Sequence, residues 1–281
     1  SKLVSLIHQK LGISIPLVTI FQAPTIRQLA QVLLDRAQFS DSRVDEVMTP
    51  LNNCPEGPRI FAFPPGTGDA AGYLQLAELL KPFAVYGFNF IEDANRLEIY
   101  ADRIQQLDPL GPYLLFGYSG GGNLAYHVAK VLEGRDKVVS AVVMVDASRR
   151  LAPVPQDPAL VDEIVGDFLQ HESIRPLLTT PLLSEKLGRR IRASYDYYST
   201  LVDRHTIQAP IHLLLCEDDP ADYHDAQGRL LASTAAWAEA TQSSFATYQG
   251  VGQHINMLIP PYLGQNAALV KALFESVVRG A

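Results

Sequence analysis

The sequence predicts an α/β protein: a mainly parallel sheet with helices on both faces, preceded by a short all-helical segment. Three observations carry this. From Arg59 onward, strand-like and helical stretches alternate. Several of the strands are unbroken apolar runs, the mark of burial on both faces of a parallel sheet. One of them runs straight into a helix through Gly117-Tyr118-Ser119-Gly120-Gly121, a turn with a serine at its tip.

In chain order, residues 1–36 are helical in pattern. Leu3, Val4, Ile7 and Leu11 share one face before Gly12 stops that helix. A second helix follows Pro24-Thr25, with Ile26, Leu29, Ala30 and Leu33 at helical spacing. Helices this short bury little core by themselves. The chain starts inside a helical pattern without a cap, as a fragment of something longer would. Residues 37–57 are polar and aperiodic, ending Cys54-Pro55-Glu56-Gly57, and read as a linker.

The larger domain, residues 58–281, has strand-like stretches at Ile60–Phe63, Ala84–Phe88, Tyr113–Phe116, Val138–Val145, Ile211–Cys216 and Phe245–Tyr248. Helical stretches lie near 70–80, 95–107, 121–133, 226–240 and 261–278. Residues 151–206 interrupt the alternation. Asp157-Pro158 begins one amphipathic helix there, and a second carries Leu187, Ile191, Tyr195 and Tyr198 three to four residues apart. The interruption leaves the sheet just after Asp146, on the edge where such folds carry their active sites, and is therefore predicted to be a helical lid.

The 281 residues are 47% hydrophobic and 19% charged, the composition of an ordinary globular protein. A net charge of −7 and a pI near 5.5 provide no broad basic surface for a nucleic acid. The run Lys186 to Arg192 reads as a solvated helix face. Cys54 and Cys216, far apart, suggest neither a disulfide framework nor a metal site. No apolar run reaches the roughly 18 residues that span a membrane, and no signal-peptide pattern opens the chain. A cytoplasmic protein without metal, membrane or nucleic-acid partner is expected.

A Gly-x-Ser-x-Gly pentad alone says little, but between a buried strand and a helix it is the nucleophile elbow of the α/β-hydrolase fold. A phosphate-binding loop would continue with Lys-Ser or Lys-Thr; Asn123-Leu124 stand there instead. Ser119 is the candidate nucleophile, and a serine needs a base. In this fold the histidine comes last in the chain, which removes His8 and His127. His171 and His205 fall in the insertion, His212 in a strand and His224 just after it, so His254, following the last strand, is the candidate base. For the acid, Asp146 ends the strand after the nucleophile, whereas Asp218 or Asp219 ends the next one; spacing alone leans to Asp146 without deciding. A tetrahedral intermediate also needs two backbone N–H donors. Gly120 follows the nucleophile, and in Phe63-Pro64-Pro65-Gly66 the first residue with an N–H is Gly66, with Thr67 as the alternative.

Together, Phe61-Ala62-Phe63-Pro64-Pro65, Val85-Tyr86-Gly87-Phe88, Gly111-Pro112-Tyr113, Gly117 to Ala125 and Val145-Asp146-Ala147 resemble the type I thioesterase domains that end nonribosomal peptide synthetases. The resemblance covers nearly the whole chain. It implies Asp146 as the acid, supports Ser119, His254, Gly66 and Gly120, and implies a mobile helical lid over an acyl pocket. Residues 1–36, through Ile15-Pro16-Leu17 and Phe21 to Ala30, are similar to the C-terminal part of a peptidyl carrier protein. Aligned on Ile7-His8, the serine that bears phosphopantetheine falls before Ser1. The implied reaction takes a peptidyl thioester from that arm and releases the peptide as a macrocycle or a linear acid. No cofactor is expected on the thioesterase itself, and the implied partners are an upstream carrier domain and synthetase modules. The residues also admit a stand-alone or editing acyl-thioester hydrolase or esterase, and a catalytically silent acyl-binding module.

Overall fold

Seven strands form one sheet in a computed structural model of the chain, which describes residues 25–38, 47–170, 181–218 and 222–280 together with positions 7, 10, 19, 20 and 23. They are β1 (Met48–Pro50), β2 (Arg59–Phe63), β3 (Ala84–Phe88), β4 (Tyr113–Tyr118), β5 (Val139–Val145), β7 (Ile211–Leu215) and β10 (Phe245–Gln249). Their order across the sheet is β1-β3-β2-β4-β5-β7-β10, and every pair is parallel except β1 with β3. A second, three-stranded antiparallel sheet joins β6 (Arg149–Arg150), β9 (Leu230–Ser233) and β8 (Tyr223–His224).

The unbroken apolar runs are explained by two cores, one on each face of the large sheet. Phe61 and Phe63, Tyr113 and Leu115, and Val142 and Met144 enter the first core with α3 (Arg96–Leu107) and α4 (Gly120–Gly134). The alternate residues Ile60 and Ala62, Leu114 and Phe116, and Val143 and Val145 enter the second with α2 (Leu74–Leu79) and α7 (Leu263–Gly280). Period-2 side-chain alternation thus feeds both layers from one strand.

Three expectations change. Part of the stretch read as a linker belongs to the sheet: β1 pairs with β3, and Leu51 donates its amide to Val85 O and is 2% exposed. Residues 39–46 of that stretch lie outside the described residues. The helix expected at 226–240 is absent; the strand β9 and a 3-10 turn, Ala235–Glu239, stand there. Arg149 and Arg150 offer Leu230–Ser233 a partner edge that no local pattern reveals. The helix expected at 70–80 is a 3-10 turn, Ala70–Tyr73, followed by α2. In the front segment, α1 (Ile26–Gln38) begins with a capping box: Gln28 N donates to Thr25 Oγ1 at 3.3 Å and Thr25 N to Gln28 Oε1 at 3.2 Å.

The insertion contains α5 (Pro158–Gln170) and α6 (Pro181–Thr200). Of α6, Leu187, Ile191, Ser194 and Tyr198 are buried. Immediately after it, Asp203 is buried at 1% exposure and ties three elements together. Its carboxylate accepts from Asn123 Nδ2 at 2.7 Å and from Arg150 N at 2.6 Å, and contacts His127 Nε2 at 2.8 Å. His127 is thus a packed histidine. Asp203→Ala should lower the unfolding free energy by about 3–5 kcal/mol, because it removes the buried carboxylate that Asn123, His127 and the Arg150 amide share; urea unfolding checks this.

Candidate active site

The site follows from the strand order. From β2 the chain steps outward to β3, then crosses back to β4 on the other side of β2. Loops leaving the C-terminal ends of β2 and β4 therefore diverge, and this switch point is where open α/β sheets bind ligands. Phe63 and Gly117 are in register there, so the Pro64–Gly68 loop and the Ser119 turn adjoin.

Ser119 has φ 55° and ψ −131°, a sparsely populated conformation for a residue with a Cβ. The turn is possible only because glycines flank it. A Cβ on Gly117 would lie 2.1 Å from the Gly121 carbonyl, and one on Gly121 would lie 2.5 Å from Phe63 O. Both neighbours are backbone and cannot swing aside. Gly117→Ala is expected to cost about 3 kcal/mol or more, or to prevent folding; the midpoint of urea unfolding measures it.

The structure brings three predicted residues together. Ser119 Oγ lies 3.1 Å from His254 Nε2, and His254 Nδ1 lies 2.5 Å from Asp146 Oδ2. Asp146 follows β5 directly, has φ 44°, and accepts the Cys216 amide on Oδ1 at 3.3 Å. Burial pushes the Asp146 carboxyl up, but the hydrogen bond and charge of His254, with the Cys216 contacts, outweigh it and hold the carboxyl below its usual range. Burial and the nearby Asp146 push the Cys216 thiol up to about 11, so it stays protonated. Asp218, the rival acid, is exposed and reaches Gln253 Nε2 at 3.4 Å rather than the imidazole. Asp219 and His171 lie outside the described residues. His205 and His212 are occupied elsewhere, His212 Nδ1 meeting Tyr248 Oη at 3.0 Å.

The loop bearing His254 is held on several sides. Asn266, 0% exposed, accepts Val251 N and donates to Val251 O and Met257 O. Tyr118, the residue before the serine, donates its hydroxyl to His254 O and sets its ring 5.3 Å from the imidazole. Tyr118 N and Phe63 O are in turn joined through the hydroxyl of Tyr73. Nothing in the sequence marked Tyr73, Tyr118 or Asn266, since each acts across long separations. Among the described residues, no group of three or more His, Cys, Asp or Glu could hold a metal, and no helix is long and apolar enough to cross a membrane.

A serine, a histidine and an aspartate in hydrogen-bonded series at the strand ends of a mainly parallel sheet define a serine hydrolase of the α/β-hydrolase type. Residues 58–263 match the family model described as the thioesterase domain, and residues 1–33 match the phosphopantetheine attachment site. The chain belongs to the thioesterase domain family and is an enzyme of that kind. Surfactin synthase subunit 3 of Bacillus subtilis (strain 168) is 33% identical over 266 residues, covering 95% of this chain and 20% of the relative. Bacitracin synthase 3 of Bacillus licheniformis is 30% identical, covering 98% of this chain and 4% of the relative. The chain therefore spans a fifth or less of the length of these curated relatives. Among solved structures, the thioesterase domain that cyclises the lipopeptide antibiotic surfactin matches with a TM-score of 0.70 and 33% identity, covering 82% of this chain and 97% of that one. The fold and family expected from the sequence are thereby shown, and the carrier-type front segment with them.

Proposed function

We propose that this chain is the releasing end of a peptide synthetase. It takes a peptidyl group from a carrier-borne phosphopantetheine thioester onto Ser119 and frees it as a macrocycle or a linear acid. The series Ser119–His254–Asp146 carries this reading. His254, oriented by Asp146, takes the Ser119 proton as Oγ bonds to the thioester carbonyl carbon. The carbonyl electron pair moves onto oxygen, where the amides of Gly66 and Gly120 receive it. Collapse breaks the C–S bond, and the departing thiolate takes the proton from His254. The peptidyl-O-Ser119 ester is then opened by water or by a nucleophile within the peptide, whose proton returns to Ser119 through His254.

The carrier-type segment in the same chain favours a synthetase terminus over a stand-alone hydrolase. The likeness to the surfactin-cyclising domain supports ring closure as one outcome. An apolar lid that excludes water would favour it. The upstream partners are a carrier domain and synthetase modules. Two measurements test the proposal. A fluorophosphonate should label Ser119 and no other residue. Incubation with a panel of peptidyl thioesters, followed by weighing of the products, should show acyl transfer, with cyclic and hydrolysed products differing by one water. Failure of the probe to label Ser119 would leave an acyl-binding module instead.

A further inference from the structure

One turn of α6, Ser194 to Tyr198, is built into the loop that carries Gly66. Ser194, 0% exposed, donates its hydroxyl to Gly66 O. Tyr198, also buried, donates to Pro64 O at 3.1 Å, and its ring lies 2.7 Å from where a Cβ on Gly120 would be. Between them, Tyr195 covers Gly66: a Cβ there would lie 3.1 Å from the Tyr195 hydroxyl oxygen. The same phenol is near enough to Tyr118 to help push the Tyr118 hydroxyl up, and Tyr118 faces His254. The Tyr195 ring therefore covers the Gly66 loop on the side where Tyr118 lies.

The three tyrosines differ in what their hydroxyls do. Those of Tyr118 and Tyr198 are taken by backbone carbonyls. That of Tyr195, partly buried, makes no hydrogen bond among the described residues. Burial pushes its pKa up, so it keeps its proton. With no protein partner among the described residues and some contact with solvent, it is open to donate to the oxygen of a bound substrate.

We propose that Tyr195 is a catalytic residue carried by the lid helix, its hydroxyl donating a hydrogen bond to the oxygen of the tetrahedral intermediate. This rests on the reading of Ser119 as nucleophile. When Oγ bonds to the carbonyl carbon and the electron pair moves to oxygen, Tyr195 joins the Gly66 and Gly120 amides as a third donor. It keeps its proton throughout; His254 alone carries the proton from Ser119 to the leaving thiolate. Catalysis then requires α6 to be seated, because the helix that covers the site also supplies part of its chemistry.

The test compares the parent chain with Tyr195→Phe and Ser119→Ala. Thiol release from a peptidyl N-acetylcysteamine thioester gives kcat and KM. A peptidyl trifluoromethyl ketone, which forms a hemiketal oxyanion on Ser119, reports affinity for the charged intermediate. Tyr195→Phe is expected to lower kcat about 10- to 100-fold with KM little changed, and to weaken the ketone by a similar factor. Affinity for the linear peptide acid and the melting temperature should hold. Parental kcat and ketone affinity in Tyr195→Phe would overturn the role while leaving Ser119 in place. So would a loss that appears equally in KM and in melting. If Ser119→Ala releases thiol at the parental rate, the nucleophile reading falls and this proposal with it.

Discussion

Ser119→Ala is expected to lower kcat for thiol release by about 10^4-fold or more, leaving only what binding and the backbone donors supply. The bond made in the proposed acylation is to Oγ, and His254 Nε2 lies 3.1 Å from it. The protein should otherwise be intact, because the side chain makes no further hydrogen bond among the described residues. Substrate affinity should therefore change little while turnover collapses. Stopped thiol-release assays and intact-protein mass, which should show no acyl adduct on the variant, measure both arms. Retained turnover would move the chemistry to another residue.

Asp146→Asn comes second, with an expected loss in kcat of about 10^3- to 10^4-fold. Its Oδ2, 2.5 Å from His254 Nδ1, fixes the tautomer in which Nε2 can accept the serine proton. An amide there can donate to Nδ1 and stabilise the opposite tautomer. Asp218→Asn provides the control, since that carboxylate is exposed and among the described residues meets Gln253 rather than the imidazole; it should stay within about twofold of the parent. Full activity in Asp146→Asn would transfer the role to the later strand. The pair also predicts a difference in acid stability. Because the folded Asp146 carboxyl lies below its usual range, its contribution is present above that range and is lost as pH falls through the lowered value. The acid limb of melting temperature against pH should therefore be shallower in the asparagine variant.

The sheet was legible because buried parallel strands leave apolar runs, and six strand-like stretches, several of them such runs, sit where strands stand. What escaped depends on partners. Met48–Pro50 is three residues long, ends in proline and becomes a strand only because β3 presents a free edge. Leu230–Ser233 needs the arginines of β6 in the same way. In the site, Ser119 announced itself through a turn that local sequence dictates, and His254 through chain order. Asp146 and Asp218 could not be separated by spacing, since both follow sheet strands; the distinction lies in burial and in which carboxylate meets the imidazole. Nothing local marked the contacts that Tyr118, Tyr195 and Asp203 make. Each acts on atoms far away in the chain, and a tyrosine in an amphipathic helix looks the same whether it fills a core or roofs a glycine.

The elbow conformation carries a consequence for how such a protein responds to selection. Ser119 and Asp146 both hold positive φ without being glycine, at a cost of order 1 kcal/mol or more each. Glycine at position 119 would relax one of them, so Ser119→Gly should melt higher than the parent while being inert. A library screened for heat resistance alone would thus drift away from the serine, and only a paired screen for turnover would keep it.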